Sequence, residues 1–263
     1  MMSGLPDDPA MTTDDQIETA LRDRTRFRHC LHLASCDSTQ DVAAAAARNG
    51  DAVFWADHQS RGRGRQSRVW DDTPGLDLLV TFRVTTKLPK PLALAASLPV
   101  AVLRAVEPLA SRNLRVKWPN DLFLDGQKLC GVLIDTGMAG PDTYLVGIGV
   151  NCNRMRFPPE LEAIATSLAI ATGREVDRGA LLLAIAGQLD QLLRDLEQGR
   201  DEPWLGTFRD RLQLLGQRVT VDATTTHEGV LTNVDFDRLV LDGARSLPLA
   251  IVRGLRRVAE RRE

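Results

Sequence analysis

The chain has 263 residues, a formal net charge of −2 and 43% hydrophobic residues, enough for one large domain or for a catalytic domain with a small one. The near-neutral charge disfavours general binding to DNA or membrane surfaces, and no apolar run approaches the ~20 residues of a membrane helix. The acidic N-terminal segment lacks the apolar core of a secretory signal, so a cytoplasmic location is expected.

The four cysteines are expected to be reduced and mostly buried. They form no C-x-x-C pair and no cluster of zinc-ligand spacing with the four histidines. The motifs G-x-x-x-x-G-K-[ST] and H-E-x-x-H are both missing from the sequence. The stretch "GIGVNC" at 147–152 lacks the third glycine of a dinucleotide fingerprint, which disfavours a nicotinamide site.

Residues 1–28 are polar and acidic and are predicted to form an N-terminal tail with one short helix at 14–24. This tail is shorter than the roughly 60 residues that the three helices and hairpin of a winged-helix DNA-binding domain need. We therefore expect no specific binding to DNA.

Strands and helices alternate over 29–213, which is predicted to be an α/β catalytic domain. The predicted elements are helix 40–50, strands 52–56 and 76–84, helix 91–110, strands 114–118, 121–124, 128–136 and 143–153, and helices 160–171, 178–198 and 202–213. Ser38 or Thr39 is the expected N-cap of the first helix, and Asp125-Gly126 predicts a hairpin turn. Short alternating runs over 214–263 predict a small β-barrel domain.

The stretch "RGRGRQSRVW" at 61–70, named here the arginine loop, joins two predicted strands and carries four arginines with no acid among them. Glycine lets the backbone come close to a ligand, and the arginine guanidinium offers a planar set of donors for carboxylate and phosphate groups. The pattern predicts a mobile loop that closes over a small anion. A solvated basic turn or a nucleic-acid-binding tail is the alternative.

Two further polar stretches lie at predicted strand ends, "KWPNDL" at 117–122 and "KLCG" at 128–131. Together with the arginine loop they supply cations, a carboxylate and amides, while no G-x-S-x-G motif and no obvious Ser-His pair appear. Such groups suit chemistry on a phosphate anhydride, in which positioning and electrostatics provide most of the catalysis.

An ordered set of motifs over roughly 29–213 resembles the biotin–protein ligases. The matching stretches are "DST" at 37–39, Gln59 with "GRGRQSRVW" at 62–70, "KWPNDL" at 117–122, "KLCGVLID" at 128–135, "GIGVNCN" at 147–153 and "ATSL" at 165–168. The resemblance implies a mixed sheet flanked by helices, related to class II synthetases, and a small SH3-like β domain at the C-terminus. It also implies the monofunctional type, without an N-terminal DNA-binding domain.

The family reaction has two steps. The carboxylate of biotin attacks the α-phosphate of ATP-Mg to give biotinyl-5′-AMP and pyrophosphate, and a lysine of a biotin carboxyl carrier protein domain then attacks the mixed anhydride. The resemblance implies that Lys128 lies between the two anions and that Arg63 and Arg65 cover the acyl-phosphate. Asp121 is a candidate proton acceptor in the second step and the candidate protein contact for Mg²⁺.

The other site residues follow from the same resemblance. Biotin contacts are expected from Ser38, Thr39, Gln40, Gln59, Arg63, Gly64, Arg65, Lys128 and Gly131. ATP or adenylate contacts are expected from Arg63, Arg65, Arg68, Trp70, Asn120, Lys128 and Asn151. The expected partners are biotin, ATP-Mg and the carrier domain of a carboxylase. A homodimer formed through sheet edges occurs in many relatives, and the sequence locates no such edge.

Two positions depart from the family pattern. Gln40 stands where the family usually has Asn, and its extra methylene shifts the side-chain amide relative to biotin. Ser67 stands where the family usually has Gly, which should stiffen the arginine loop. Neither change removes a charge, so we expect activity to survive.

Three alternatives compete with this interpretation. A lipoate–protein ligase shares the fold but would lack the Arg-Gly-Arg loop and the Lys-Trp-Pro-Asn-Asp turn. A non-catalytic biotin sensor is disfavoured by the presence of Lys128 and by the short N-terminal segment. An RNA-binding protein would need aromatic stacking partners, whereas aromatic residues make up 5% of the chain.

Overall fold

The protein is described by a computed structural model over residues 12–46, 50–110, 113–140 and 142–258. Within these residues the larger sheet is built from strands β1 (His29–Leu33), β2 (Ala52–Ala56), β3 (Leu78–Thr85), β4 (Leu114–Lys117), β5 (Asp121–Leu124), β6 (Gln127–Thr136) and β7 (Thr143–Val150). Their spatial order is β1-β2-β3-β7-β6-β5-β4. β1 and β2 run parallel and the other neighbouring pairs are antiparallel, which confirms the predicted mixed sheet.

Helices cover both faces of this sheet. The described helices are α1 (Asp14–Arg24), α2 (Thr39–Ala45), α3 (Pro91–Val106), α4 (Pro159–Glu162), α5 (Leu168–Thr172), α6 (Arg178–Glu197) and α7 (Glu202–Leu212). On one face α3 packs against α6 and α7, and α1 packs against α6. Among the described helices, none combines the length and apolar character that crossing a bilayer requires.

The alternation of side chains along β2 explains how one strand serves two layers. Val53 and Trp55 belong to the large core beneath α3 and α6, whereas Ala52 and Phe54 join Ala43 of α2 in a small cluster on the other side. Successive side chains of a strand point to opposite faces. The α2 face, with its few apolar contacts, leaves space for a site.

The described part of the predicted tail is packed on the core. Helix α1 begins with a capping box. The Thr13 side chain accepts from the backbone N–H of Gln16, and the Gln16 side chain accepts from the backbone N–H of Thr13. Ile17 and Leu21 are buried, because these positions are four residues apart and face the same side of the helix. The predicted helix at 14–24 is therefore confirmed, and it is an integral part of the fold rather than a loose extension.

Two predicted helices differ most from the structure. The helix predicted at 40–50 ends at Ala45, and the Arg83 guanidinium donates to the carbonyl of Ala46 at 2.7 Å. Positions 47–49 of the prediction lie outside the described residues. The single helix predicted at 160–171 is wrong. It is replaced by α4 and α5, because the intervening Ala165 pairs with Lys128 as an isolated β-bridge and cannot continue a helix.

The C-terminal residues form a second sheet, as predicted. Its strands are β8 (Arg218–Asp222), β9 (Thr226–Val234), β10 (Arg238–Leu241), β11 (Arg245–Pro248) and β12 (Gly254–Arg257). The order is β11-β10-β9-β8-β12, and neighbouring strands are antiparallel. Within the described residues it forms a small β unit separate from the larger sheet, which agrees with the expected fold class.

Candidate active site

A cavity of about 640 Å³ opens on the α2 face of the larger sheet. It is bounded by the start of α2, the arginine loop, the turn between β4 and β5, and strands β6 and β7. Every site residue implied by the resemblance lines it: Ser38, Thr39, Gln40, Gln59, Arg63, Gly64, Arg65, Arg68, Trp70, Asn120, Asp121, Lys128, Gly131 and Asn151. The fold thus brings residues from distant parts of the sequence around one space.

Paired glycines form part of the cavity floor. Gly131 on β6 lies opposite Gly149 on β7 in the strand register. A Cβ at Gly149 would lie 2.5 Å from Cε2 of Trp70, and one at Gly131 would lie 2.8 Å from Cζ3 of the same ring. Only residues without a side chain allow the indole to rest this close to the sheet. The buried Trp70 Nε1 has no hydrogen-bond partner among the described residues.

The start of α2 is held by a network of polar side chains. Ser38 caps the helix, because its Oγ accepts from the backbone N–H of Gln40 at 3.3 Å. The backbone N–H and the hydroxyl of Thr39 both donate to Gln59 Oε1, at 2.7 and 3.0 Å, and the Thr39 hydroxyl lies 2.8 Å from that of Thr81. Because Oε1 of Gln59 already accepts these two hydrogen bonds, the group that Gln59 can still present to the cavity is its Nε2 amide donor.

Gln40 is fitted over a third glycine. Its Nε2 donates to the carbonyl of Leu133 at 3.3 Å and would lie 2.7 Å from a Cβ at Gly147. The residue is 3% exposed, and its Oε1 is buried without a hydrogen-bond partner among the described residues. Buried polar groups are normally satisfied, so the unpartnered oxygen is a candidate acceptor for a group bound in the cavity. The longer side chain of Gln40 is therefore accommodated by Gly147.

The arginine loop folds back on itself as a short hairpin. The backbone N–H of Trp70 donates to the carbonyl of Gly62 at 2.9 Å, and that of Gly64 donates to the carbonyl of Arg68 at 2.8 Å. Gln66 at the tip has φ of 55°, in the left-handed region. This pairing brings Trp70 to the cavity and leaves the arginine side chains projecting from a narrow ribbon.

Acidic residues outside the loop meet its arginines. Arg61 forms an ion pair with Asp37 at the surface. Arg63 lies 3.0 Å from a carboxylate oxygen of Asp41 and 3.0 Å from one of Asp135. The loop itself contains no acid, whereas the fold supplies carboxylates from α2 and β6. Ordering of the loop by a ligand stays a prediction.

Lys128 and Asp121 form an ion pair in the cavity. Lys128 lies two residues after the hairpin turn at Asp125-Gly126. Both turn residues have positive φ, as the dipeptide predicts. Its Nζ lies 2.9 Å from Oδ1 of Asp121 and 5.4 Å from the centre of the Trp70 ring. The ammonium group is therefore available at the surface of the cavity, balanced by one carboxylate.

The backbone of Lys128 is fixed by the segment that follows α4. Its N–H donates to the carbonyl of Ile164 at 2.7 Å, and its carbonyl accepts from the N–H of Thr166 at 2.9 Å. Nδ2 of Asn151 donates to the carbonyls of Lys128 and Thr166, at 3.3 and 2.9 Å. Asn151, expected at the nucleotide, thus also holds Lys128 in place.

Asn120 connects the turn after β4 with the loop and with β6. Its Oδ1 accepts from Arg65 at 3.3 Å, and its Nδ2 donates to the carbonyl of Val132. The exposed side chain of Arg68 completes the rim. Arg65, Arg68 and Asn120 therefore line the same cavity as Trp70.

Two comparisons identify the family. The model of the Biotin/lipoate A/B protein ligase family matches residues 34–153. The biotin–[acetyl-CoA-carboxylase] ligase of Mycobacterium tuberculosis is 31% identical over 252 residues, which cover 88% of this chain and 91% of that relative. The chain belongs to the biotin/lipoate A/B protein ligase family.

Solved structures of the biotin/lipoate A/B protein ligase family share the fold. The biotin protein ligase from Aquifex aeolicus in complex with biotin and ATP matches with a TM-score of 0.79 at 26% identity, covering 88% of this chain and 100% of that chain. The bifunctional ligase/repressor BirA of Bacillus subtilis is 32% identical over 197 residues, 71% of this chain. That match spans 60% of the length of the bifunctional relative.

The donors at the cavity fit a magnesium ion that arrives with a nucleotide. Asp121 is the carboxylate among the predicted site residues. Across the described ranges, no group of three or more His, Cys, Asp and Glu side chains is arranged to hold a metal. Mg²⁺ is usually bound through one or two carboxylates and the phosphates of a substrate. Among the predicted site residues, Asp121 is therefore the one that would contact Mg²⁺, with the phosphates of a substrate providing the other ligands.

None of the four cysteines is among the residues that line the cavity. All four cysteines are free; Cys130 and Cys152 are buried, and Cys30 and Cys36 are half-buried. Burial raises the pKa of Cys152 to about 12 and that of Cys36 to about 11, and it raises the pKa of Cys130 still further. The thiolate is the reactive form, so cavity chemistry falls to other groups.

Several residues at the site receive no role from the sequence motifs. Asp41 and Asp135 pair with Arg63, Thr81 bonds Thr39, and Arg154 lies buried at the cavity edge. The sequence does carry a signal for Asp135. Gly131, Leu133 and Asp135 are spaced two residues apart and therefore lie on the same face of β6. The remaining contacts join segments that are distant in sequence and carry no local pattern.

Proposed function

We propose that this protein is an ATP-dependent ligase that activates biotin as biotinyl-5′-AMP and transfers it to a specific lysine of a biotin carboxyl carrier protein domain. The observation that carries the proposal is the set of charges on one cavity: Lys128, Arg63 and Arg65 line it together. The names of the Mycobacterium tuberculosis relative and the Aquifex aeolicus structure support biotin and ATP as substrates.

In the first step an oxygen of the biotin carboxylate attacks the α-phosphorus of ATP, and the bond to the pyrophosphate leaving group breaks. Both reactants are anions, so their approach is opposed by Coulomb repulsion that nearby cations offset. We assign this role to Lys128, with Arg63 and Arg65 on the developing acyl-phosphate. Mg²⁺ bound with ATP supplies further charge neutralisation, and Asp121 is the residue that would hold it.

In the second step the uncharged amine of the carrier lysine attacks the biotinyl carbonyl and AMP leaves. The new C–N bond is formed with loss of one proton from the nitrogen. We assign acceptance of this proton to Asp121, the carboxylate that lies beside Lys128 in the cavity. Closure of the arginine loop over the adenylate would keep water from the anhydride.

The cavity also bears on the choice between biotin and lipoate. The unpaired Oε1 of Gln40 needs a hydrogen-bond donor. The ureido ring of biotin carries two N–H groups, whereas the dithiolane ring of lipoate carries none. This difference favours biotin over lipoate, and the combination of Lys128 with the arginine loop favours an enzyme over a non-catalytic biotin sensor.

We expect the protein to add one biotinyl group to a carrier domain when biotin and ATP-Mg are both present. The readout is the intact mass of the carrier, with the modified lysine located by peptide mass spectrometry. Controls omit ATP or biotin, and a carrier variant with arginine at the acceptor lysine should stay unmodified. Transfer of lipoate instead of biotin would reverse the assignment, and binding of biotin without any transfer would support the sensor.

Substitution of Gln40 by leucine should raise the KM for biotin about 10- to 100-fold, the effect of removing one acceptor from a buried hydrogen bond. Leucine keeps a similar volume over Gly147, so kcat should change little. Activation of octanoate, which has no ring N–H group, should not be weakened. Gln40→Asn, which retains an acceptor, serves as the matched variant. An unchanged KM for biotin in Gln40→Leu would exclude this contact.

A further inference from the structure

Arg154 is a buried cation at the edge of the cavity, and the proposed chemistry does not use it. It follows β7 by a few residues and lines the cavity, yet its side chain is 1% exposed. A buried charge is tolerated only when it is paired and hydrogen-bonded. The partners of Arg154 therefore indicate what the residue holds together.

All three nitrogens of the guanidinium have acceptors. Nε donates to Oδ2 of Asp77 at 2.5 Å, and Nη1 donates to Oδ2 of Asp71 at 2.7 Å. Nη2 donates to the backbone carbonyl of Asp71. Asp77 is held in turn by the backbone N–H of Thr73 at 3.1 Å. One side chain thus joins the entry of β3 to the exit of the arginine loop.

The two carboxylates differ in exposure. The side chain of Asp77 is 0% exposed, whereas that of Asp71 is 46% exposed. The pair with Asp77 is therefore part of the core, and the pair with Asp71 lies at the boundary with solvent. Arg154 is the fixed member, and the loop exit at Asp71 docks on it.

This docking determines where the neighbouring ring lies. Trp70 directly precedes Asp71, and its indole rests on Gly131 and Gly149. Arg154 is also tied to the segment that fixes Lys128, because the Ser167 hydroxyl donates to its carbonyl at 2.5 Å. The loop exit and the support of Lys128 are thus attached to the same residue.

We propose that Arg154 is a positioning residue for the nucleotide end of the site: by holding Asp71 it keeps the Trp70 ring on the glycine floor, where the ring supports bound ATP. The inference rests on the proposed function for the identity of the nucleotide. The docking of the loop exit on Arg154 is independent of the ligand.

The test removes the exposed partner and leaves the buried pair intact. In Asp71→Ala the charge of Arg154 is still balanced by Asp77, so the fold should be retained. We expect the KM for ATP in biotin-dependent pyrophosphate exchange to rise about 10-fold, while kcat and the KM for biotin stay within about 2-fold of the wild type. This pattern is typical of losing a contact that stabilises the ground state and the transition state equally. Asp71→Asn keeps a hydrogen-bond acceptor and should recover most of the affinity for ATP.

A second readout needs no substrate. Trypsin cleavage after Arg68, followed by mass spectrometry without ligands, should be about 10-fold faster in Asp71→Ala, because the loop exit is released. Asp222→Ala removes an exposed Asp–Arg pair, the one with Arg256 in the C-terminal sheet, and should change neither measurement. If the wild-type protein lacks biotin-dependent exchange, the proposed function fails, and the cleavage rates still decide the role of Arg154. Equal cleavage of wild type and Asp71→Ala, or equal increases in KM for biotin and ATP, would overturn it.

Discussion

Replacing Lys128 with alanine should lower the rate of biotin-dependent ATP–pyrophosphate exchange about 10³-fold, with the fold intact. The ammonium group faces the cavity and is the charge assigned between the biotin carboxylate and the α-phosphate. Removing one preorganised group that stabilises transition-state charge costs about 10²–10³-fold in rate. Loss of Lys128 also leaves the carboxylate of Asp121, 2.9 Å away in the wild type, uncompensated beside two anionic substrates. We therefore expect the upper end of that range.

The stability of Lys128→Ala should be close to that of the wild type. The Lys128 and Asp121 side chains are 34% and 23% exposed, and a partly exposed ion pair contributes about 1 kcal/mol or less. Its loss corresponds to a change in Tm of about 2–4 °C at most. Lys90→Ala, which breaks a surface pair with Asp201, is the matched control and should retain full activity. Undiminished exchange by Lys128→Ala would exclude the role given to this lysine.

The elements with local signals were predictable from the sequence. The turn at Asp125-Gly126 carries a dipeptide that tolerates positive φ at both positions, and the structure has positive φ at both. The apolar stripe of helix 178–198 gives α6 with nearly the predicted bounds. The helix predicted at 160–171 fails because Ala165 pairs with Lys128, a contact across the sequence that outweighs local helix propensity.

The sequence predicts which residues belong to the candidate site much better than it predicts how these residues contact one another. Motifs single out the arginine loop, the turn at 117–122 and Lys128, and residues from each of them line one cavity. The carboxylates that balance the arginines are single residues in otherwise ordinary elements, such as Asp41 in a short helix. Tertiary packing alone brings Asp77 to Arg154, because no periodicity links positions 77 residues apart. Short-range sequence patterns therefore predict the basic residues of the site better than the acidic residues that pair with them.

Replacing Arg63 with alanine should lower the exchange rate about 10²-fold, the second large effect we expect. In the protein without substrate, Arg63 is 3.0 Å from carboxylate oxygens of both Asp41 and Asp135. Its removal has two consequences. The acyl-phosphate loses a donor from the loop, and two carboxylates near the cavity are left to repel the incoming biotin carboxylate. Raising the salt concentration should therefore reduce the defect by screening the repulsion.

Arg61 provides the control within the same loop. Its side chain is 77% exposed, pairs with Asp37 and is not among the residues that line the cavity. Arg61→Ala removes the same charge from the same segment, so it tests whether net positive charge or the particular position matters. We expect exchange by Arg61→Ala within about 2-fold of the wild type, since an exposed surface ion pair contributes little. Equal losses in the two variants would mean that the loop acts through its overall charge, and the specific placement of Arg63 over the reacting groups would have to be abandoned.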